Sequence, residues 1–236
     1  MNSSVQTIPL TSLMIAFIPV LAVVGVIFAW SLNTKYTLYA IARMLGQLLL
    51  VGYFLTAIFE TDNSVIIIAI LAIMVFSSSW IALGTVKVQR KKLYAYALCS
   101  IALGGLVSLL FVTQGVLQLT PWYSPQYIVP LAGMIFASSM NSVSLAAERI
   151  YAEMERGVLY QEAKKIALQA SLIPVVNSLL AVGLVSIPGM MTGQILSDVS
   201  PLIAARYQIM VMCMVFGAAG ISAACFLVLV GLVEDR

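Results

Sequence analysis

"LIAARYQIMVMCMVFGAAGISAACFLVLVGL", residues 202–232, holds a single charge, Arg206, in 31 positions. A helix rises about 1.5 Å per residue, so this run would reach roughly 46 Å, against a hydrocarbon core of about 30 Å. It reads as a membrane-spanning helix with a tilt or an end outside the bilayer. No alternating strand period is present, and a barrel gives a much weaker hydrophobic signal. The fold class is therefore all-α, a polytopic integral membrane protein.

Runs of the same kind take up most of the chain. Of the 236 residues, 62% are hydrophobic and 9% charged, with a mean hydropathy of +1.06, outside the range of soluble domains. Seven spans are predicted, near 9–31, 38–59, 65–84, 94–117, 127–145, 168–188 and 202–232, forming a single transmembrane domain over 1–236. Too little sequence remains for a soluble catalytic domain of ordinary size. The first basic residue is Lys35, so the charged start of a cleaved secretory signal is missing and the first span is expected to be retained.

Charge sets the expected orientation. Lys35 and Arg43 flank the first turn-back, Lys87, Arg90, Lys91 and Lys92 lie in "TVKVQRKKL", and Arg149, Arg156, Lys164 and Lys165 fall between spans five and six. The other connections, "ETDNS", "LTPWYSPQY" and "LSDVSP", contain no Lys or Arg. The positive-inside bias then predicts N outside and C inside, with Arg206 as the exception. The address is a plasma (inner) membrane, with lipid as the surrounding partner and no role for nucleic acid.

Several chemistries are excluded. Histidine is absent and none of the nine acidic residues falls in mid-span, which argues against proton or sodium coupling and against acid–base or metal-assisted catalysis. Cys99, Cys213 and Cys225 lie inside spans without C-x-x-C spacing, and read as packing residues. No G-x-x-x-x-G-K-[ST] phosphate loop occurs. The chain is read as a non-enzyme with no cofactor of its own.

Residues 146–169, "AAERIYAEMERGVLYQEAKKIALQ", hold eight charged side chains. Ile150, Met154, Val158, Tyr160 and Ala163 recur at helical spacing, which predicts one amphipathic cytoplasmic helix between spans five and six. It is either a solvated extension of span five or a docking helix for a soluble partner. In the membrane, Asn141 and Asn177 sit on consecutive spans, where they either bond neighbouring helices or line a polar route. Pro174 and Pro188 free backbone carbonyls, tolerated where protein or a watery cavity receives them. "SIPGMMTGQIL", residues 186–196, interrupts the apolar pattern, as a gate or substrate site would and as a plain outer loop would also.

"LIPVVNSLLAVGLVSIPGMMTGQIL" (172–196), "SPLIAARYQIMVM" (200–212) and "NSVSLAAER" (141–149) together resemble the FetB family of ABC-transporter permeases, bacterial relatives of the plant aluminium-sensitivity permease. The resemblance implies a permease, paired two to two with a separate ATP-binding subunit that carries ATP and Mg, and the export of metal, iron in the bacterial case. It implies a homodimer of this chain. It makes Asn141, Asn177, Pro188, Gly189, Met190, Met191, Thr192, Gly193, Gln194, Arg206 and Gln208 candidates for the substrate route or gate. Arg149, Glu153, Met154, Arg156, Gly157 and Glu162 become candidates for partner docking. The connection before span six is shorter than the family pattern, so a docking surface there is shorter too.

The residues themselves supply no bare-iron site, because iron favours oxygen donors and these spans hold neither carboxylate nor histidine. Met190, Met191, Met210, Met212 and Met214 would suit a softer metal, or simply pack. Metal ligands are therefore not assigned. A non-metal ABC permease, a scaffold or regulatory subunit and a secondary carrier stay open as alternatives.

Overall fold

The computed structural model describes residues 8–86 and 89–234. Lys87 of the basic loop and the terminal Asp235 and Arg236 lie outside them. The elements are α1 (Leu10–Ile15), α2 (Phe17–Ala29), α3 (Thr34–Phe59), α4 (Ser64–Ala82), α5 (Arg90–Leu110) with a π-helical continuation (Phe111–Val116), α6 (Pro125–Glu155), α7 (Tyr160–Ala181), α8 (Gly189–Leu196) and α9 (Pro201–Glu234). Among the described residues there is no strand, only an isolated bridge between Val182 and Ser186. Among the described residues six helices are long and apolar enough to cross a membrane: Thr11–Ala29, α3, α4, Arg90–Val116, α6 and Pro201–Leu232.

The helices group into two compact units, residues 1–61 and 62–236. In the first, Pro19 has no N–H for the carbonyl of Ile15, and α1 gives way to α2 at Ala16. The side chain of Asn33 caps α3 by accepting from the Tyr36 N–H at 3.1 Å. Neither α2 nor α3 buries a residue; such apolar surface requires lipid or another chain around it.

In the second unit α9 packs on α5, α6, α7 and α8. Its buried face runs through Ala204, Gln208, Val211, Met214, Ala218, Ala219, Ser222, Ala223, Phe226, Leu227 and Val230. Lipid is as apolar as Leu, so such helices associate through close packing, which small residues permit. At Gly104 of α5 a Cβ would lie 2.8 Å from the Ser222 N and 3.1 Å from the Ala218 O. The close contact is made by the small residues Ala218 and Ser222 of α9. Buried hydroxyls of Ser78, Ser79, Ser100, Ser108 and Thr113 donate to carbonyls three or four residues earlier in their own helices, whereas Ser139 Oγ and Ser222 Oγ are buried without a partner.

Two expectations are corrected here. The single amphipathic helix over 146–169 does not form: α6 continues unbroken to Glu155, and the chain turns before α7 begins at Tyr160. Gly157 takes φ +83, Val158 N–H bonds the Glu153 carbonyl at 3.1 Å and Gly157 N–H the Met154 carbonyl at 2.9 Å. This left-handed glycine cap closes the free carbonyls of a helix end. Likewise the helix expected to run to residue 188 stops at Ala181, followed by Gly183 at φ +84. After Lys165, α7 has 16 residues left, about 24 Å at the helical rise.

Replacing Gly104 by Val is expected to push α5 from α9 and cost on the order of 1–3 kcal/mol. Gly46→Ala, at a site open within 4 Å, should leave stability nearly unchanged. Thermal unfolding in mild detergent measures both, and an unshifted midpoint for the Val variant would rule out the close crossing.

Candidate functional site

Two helical turns of small polar residues face each other across α6 and α7. On α6 they are Ser138, Asn141 and Ser142, with Leu145 a turn further; on α7, Ser171, Pro174, Val175 and Ser178; Met212 and Val215 of α9 close the wall. The spacing i, i+3, i+4, i+7 keeps each set on one helix face. Together they enclose a groove of about 310 Å³.

Hydroxyl protons of the groove are committed to backbone. Ser142 Oγ donates to the Ser171 carbonyl at 3.3 Å and Ser138 Oγ to the Val215 carbonyl at 3.4 Å, tying α6 to α7 and to α9. Ser171 Oγ donates to the Leu168 carbonyl at 2.8 Å and Ser178 Oγ to the Pro174 carbonyl at 3.0 Å. A serine has one proton and two lone pairs, so what each offers beyond these bonds is an acceptor. Pro174, inside α7, has no N–H for the carbonyl of Ala170. The lining carries no formal charge. Among the described residues no cluster of three or more His, Cys, Asp or Glu is placed to hold a metal.

Of the residues expected on a route, Asn141 lines this groove and is exposed, whereas Asn177 is exposed on α7 outside the lining. Pro188 is the N-cap of α8, and Gly189, Met190, Met191, Thr192, Gly193 and Gln194 form that short helix, which packs on α9. Thr192 Oγ1 donates to the Pro188 carbonyl at 3.2 Å, and Gln194 Oε1 is buried without a partner. None of these residues lines the groove. Arg206 is exposed; Gln208 is 6% exposed, with Oε1 unpartnered. One turn separates Gln208 from Met212 on the same face of α9. Ser138, Ser142, Ser171 and Ser178 were missed as site residues. Their signal was the matched helical spacing of serines on two successive helices.

The residues expected to dock a partner gather at the α6–α7 turn. Glu153, 5% exposed, accepts from Arg149 at 2.6 Å and Arg156 at 3.3 Å. Met154 is half-buried, while Arg156, Gly157 and Glu162 are exposed. Glu162 lies in the first turn of α7, where a negative charge suits the helix dipole. The Tyr160 hydroxyl donates to the Leu227 carbonyl of α9, and its ring would lie 2.5 Å from a Cβ at Gly231. Beside the turn Thr85, Val86, Gln89, Glu148, Tyr151, Ala152 and Glu155 enclose a second groove of about 380 Å³. At the neighbouring α4–α5 turn Arg90 donates to the Trp80 carbonyl at 3.1 Å through Nε and stacks 3.7 Å from the Trp80 ring centroid.

A model of the family described as "Uncharacterised protein family (UPF0014)" matches residues 10–232, and the chain belongs to that family. It is 37% identical over 194 residues to a UPF0014 membrane protein of Synechocystis, covering 76% of this chain and 75% of the relative. Against the probable iron export permease protein FetB of Escherichia coli it is 30% identical over 210 residues, 82% of this chain and 80% of the relative. The protein ALUMINUM SENSITIVE 3 of Arabidopsis thaliana is 30% identical over 222 residues, with coverage of 86% and 80%. These matches bear out the family resemblance read from residues 141–149, 172–196 and 200–212. No solved structure matches.

Glu153→Ala would leave Arg149 and Arg156 without their carboxylate beside a buried position, and an expected loss on the order of 1–3 kcal/mol follows. Glu162→Ala, at an exposed site, should cost a few tenths to about 1 kcal/mol. Unfolding of the two variants side by side decides whether Glu153 holds the turn; equal losses would show that it does not.

Proposed function

We propose that this UPF0014 chain is the membrane-spanning permease subunit of an ATP-driven exporter of metal. The observation that carries this reading is the uncharged groove among α6, α7 and α9, where four serines and Asn141 alternate with Leu145, Pro174, Val175, Met212 and Val215, continuous through two of its helices with the charged α6–α7 turn. A chain made almost wholly of membrane-length helices has the means to form a route but no phosphate loop to drive it. Energy then comes from a separate ATP-binding subunit, which carries ATP and Mg. The relative named as a probable iron export permease supports metal as the cargo.

In this reading α7 makes a seventh crossing, with N outside, C inside and the α6–α7 turn in the cytoplasm. The exposed Arg156, Gly157 and Glu162 receive the partner, and Glu153 holds the turn rigid, so that movement there tilts α6 and α7 and reshapes the groove between them. Two copies of the chain assemble with two ATPase subunits in the plasma membrane.

The reading is tested by purifying the tagged chain from its native membranes and following ATP-dependent metal accumulation in everted vesicles. An ATPase is expected to accompany the chain, and Arg156→Glu combined with Glu162→Lys should lower its recovery roughly tenfold, the loss of a few charge-assisted contacts. Transport by the chain alone in liposomes would replace the ATP-driven reading with that of a secondary carrier. A chain that neither recruits an ATPase nor moves metal would be a scaffold.

A further inference from the structure

Metal as cargo stands in tension with the groove, which has no carboxylate, thiolate or imidazole to replace a metal ion's water. Removing water from a small hard cation is costly, and such ions keep several waters when protein ligands are few. The lining resolves the tension. Ser138, Ser142, Ser171 and Ser178 spend their protons on carbonyls and turn acceptor capacity to whatever enters. Asn141 supplies the only side-chain amide donor among the lining residues.

Acceptors select donors. Water bound to a metal ion is a stronger donor than bulk water, since the ion lowers its pKa. A shell of six waters, at about 30 Å³ each, occupies roughly 180 Å³, which fits within the groove's 310 Å³. Anionic chelates face the opposite situation, with a lining of lone pairs and a single amide to meet them.

We infer that the groove takes its cargo as a hydrated cation, held through hydrogen bonds from the metal's bound waters to the serine oxygens and Asn141, with no protein atom bonded to the metal. This rests on the groove being the cargo route of the proposed permease. It also gives the absence of mid-span carboxylates a purpose: a site without fixed charge holds a dication weakly enough to release it.

Binding to the purified full chain in mild detergent tests the inference without any partner. Manganese(II) is the probe, its free and bound forms followed by electron paramagnetic resonance, with coordinated waters counted in oxygen-17 water. Cobalt(III) hexaammine, which carries N–H donors and exchanges no ligand, is the competitor. Bound manganese is expected to keep its full water shell and to be displaced by the hexaammine. Asn141→Leu and Ser178→Ala, both at exposed positions and outside the bonds between helices, should each weaken binding about tenfold. Gly46→Ala in α3 should not. Manganese that loses waters on binding, resists the hexaammine, or fails to bind at all would overturn the inference, as would stronger competition by ferric citrate. Competition by putrescine with none by the hexaammine would transfer the donor chemistry to an organic cation and also overturn it. The permease reading fails separately: hexaammine-sensitive binding without ATP-driven transport would sink that reading alone, and transport with no manganese binding would sink only the hydrated-cation inference.

Discussion

Hydrocarbon offers no partner to a peptide N–H or carbonyl, and each one left unbonded there costs several kcal/mol. That constraint makes the chain helical and then governs how the helices meet. Within 62–236 it explains why the hydroxyls of Ser78, Ser79, Ser100, Ser108 and Thr113 turn back onto carbonyls of their own helices. The irregular backbone around Gly183 sits at a helix end. Pro174, which interrupts the hydrogen-bond ladder of α7, lines the groove between α6, α7 and α9.

Close approach is the second consequence. Because apolar side chains gain little by leaving lipid for protein, α9 holds its neighbours through fit: Gly104 against the Ser222 backbone, Gly105 with its site 2.8 Å from Phe136 Cδ1, and Gly231 beneath the Tyr160 ring. Two serine hydroxyls then cross from α6 to α7 and α9. The same side chains that fasten the three helices line the space between them. A groove built this way changes shape when the helices shift, which suits a route that opens and closes.

Much of the fold was legible in sequence. Apolar length predicted the helices correctly because a bilayer demands it, and the helical ends shifted by only a few residues at most spans. Two errors came from reading composition across a backbone break. "ERGVLY" keeps helical periodicity on both sides of Gly157, yet that glycine's left-handed cap turns the chain. "AVGLVSI" stays apolar beyond Ala181, while Gly183 adopts a φ that no helix contains. Both glycines were visible; their conformations were decided by the tertiary turn. Residues 188–194 stood out through Pro and Gly, which mark an irregular backbone, and the structure caps α8 with Pro188 and forms 189–194 into that helix.

Sequence by itself determined the membrane setting, the helical class, the family, and the lack of mid-span carboxylate and histidine. These follow from side-chain chemistry and segment length, which are properties of each residue and its near neighbours. Only the tertiary structure decided that Ser138, Asn141 and Ser142 face Ser171, Pro174 and Ser178, and that Met212 rather than the other methionines joins them. Such a site depends on the rotation and register of three helices about one another. Those are set by the fit at Gly104, Tyr160 and the crossing serine bonds, between residues 29 to 118 positions apart in the chain.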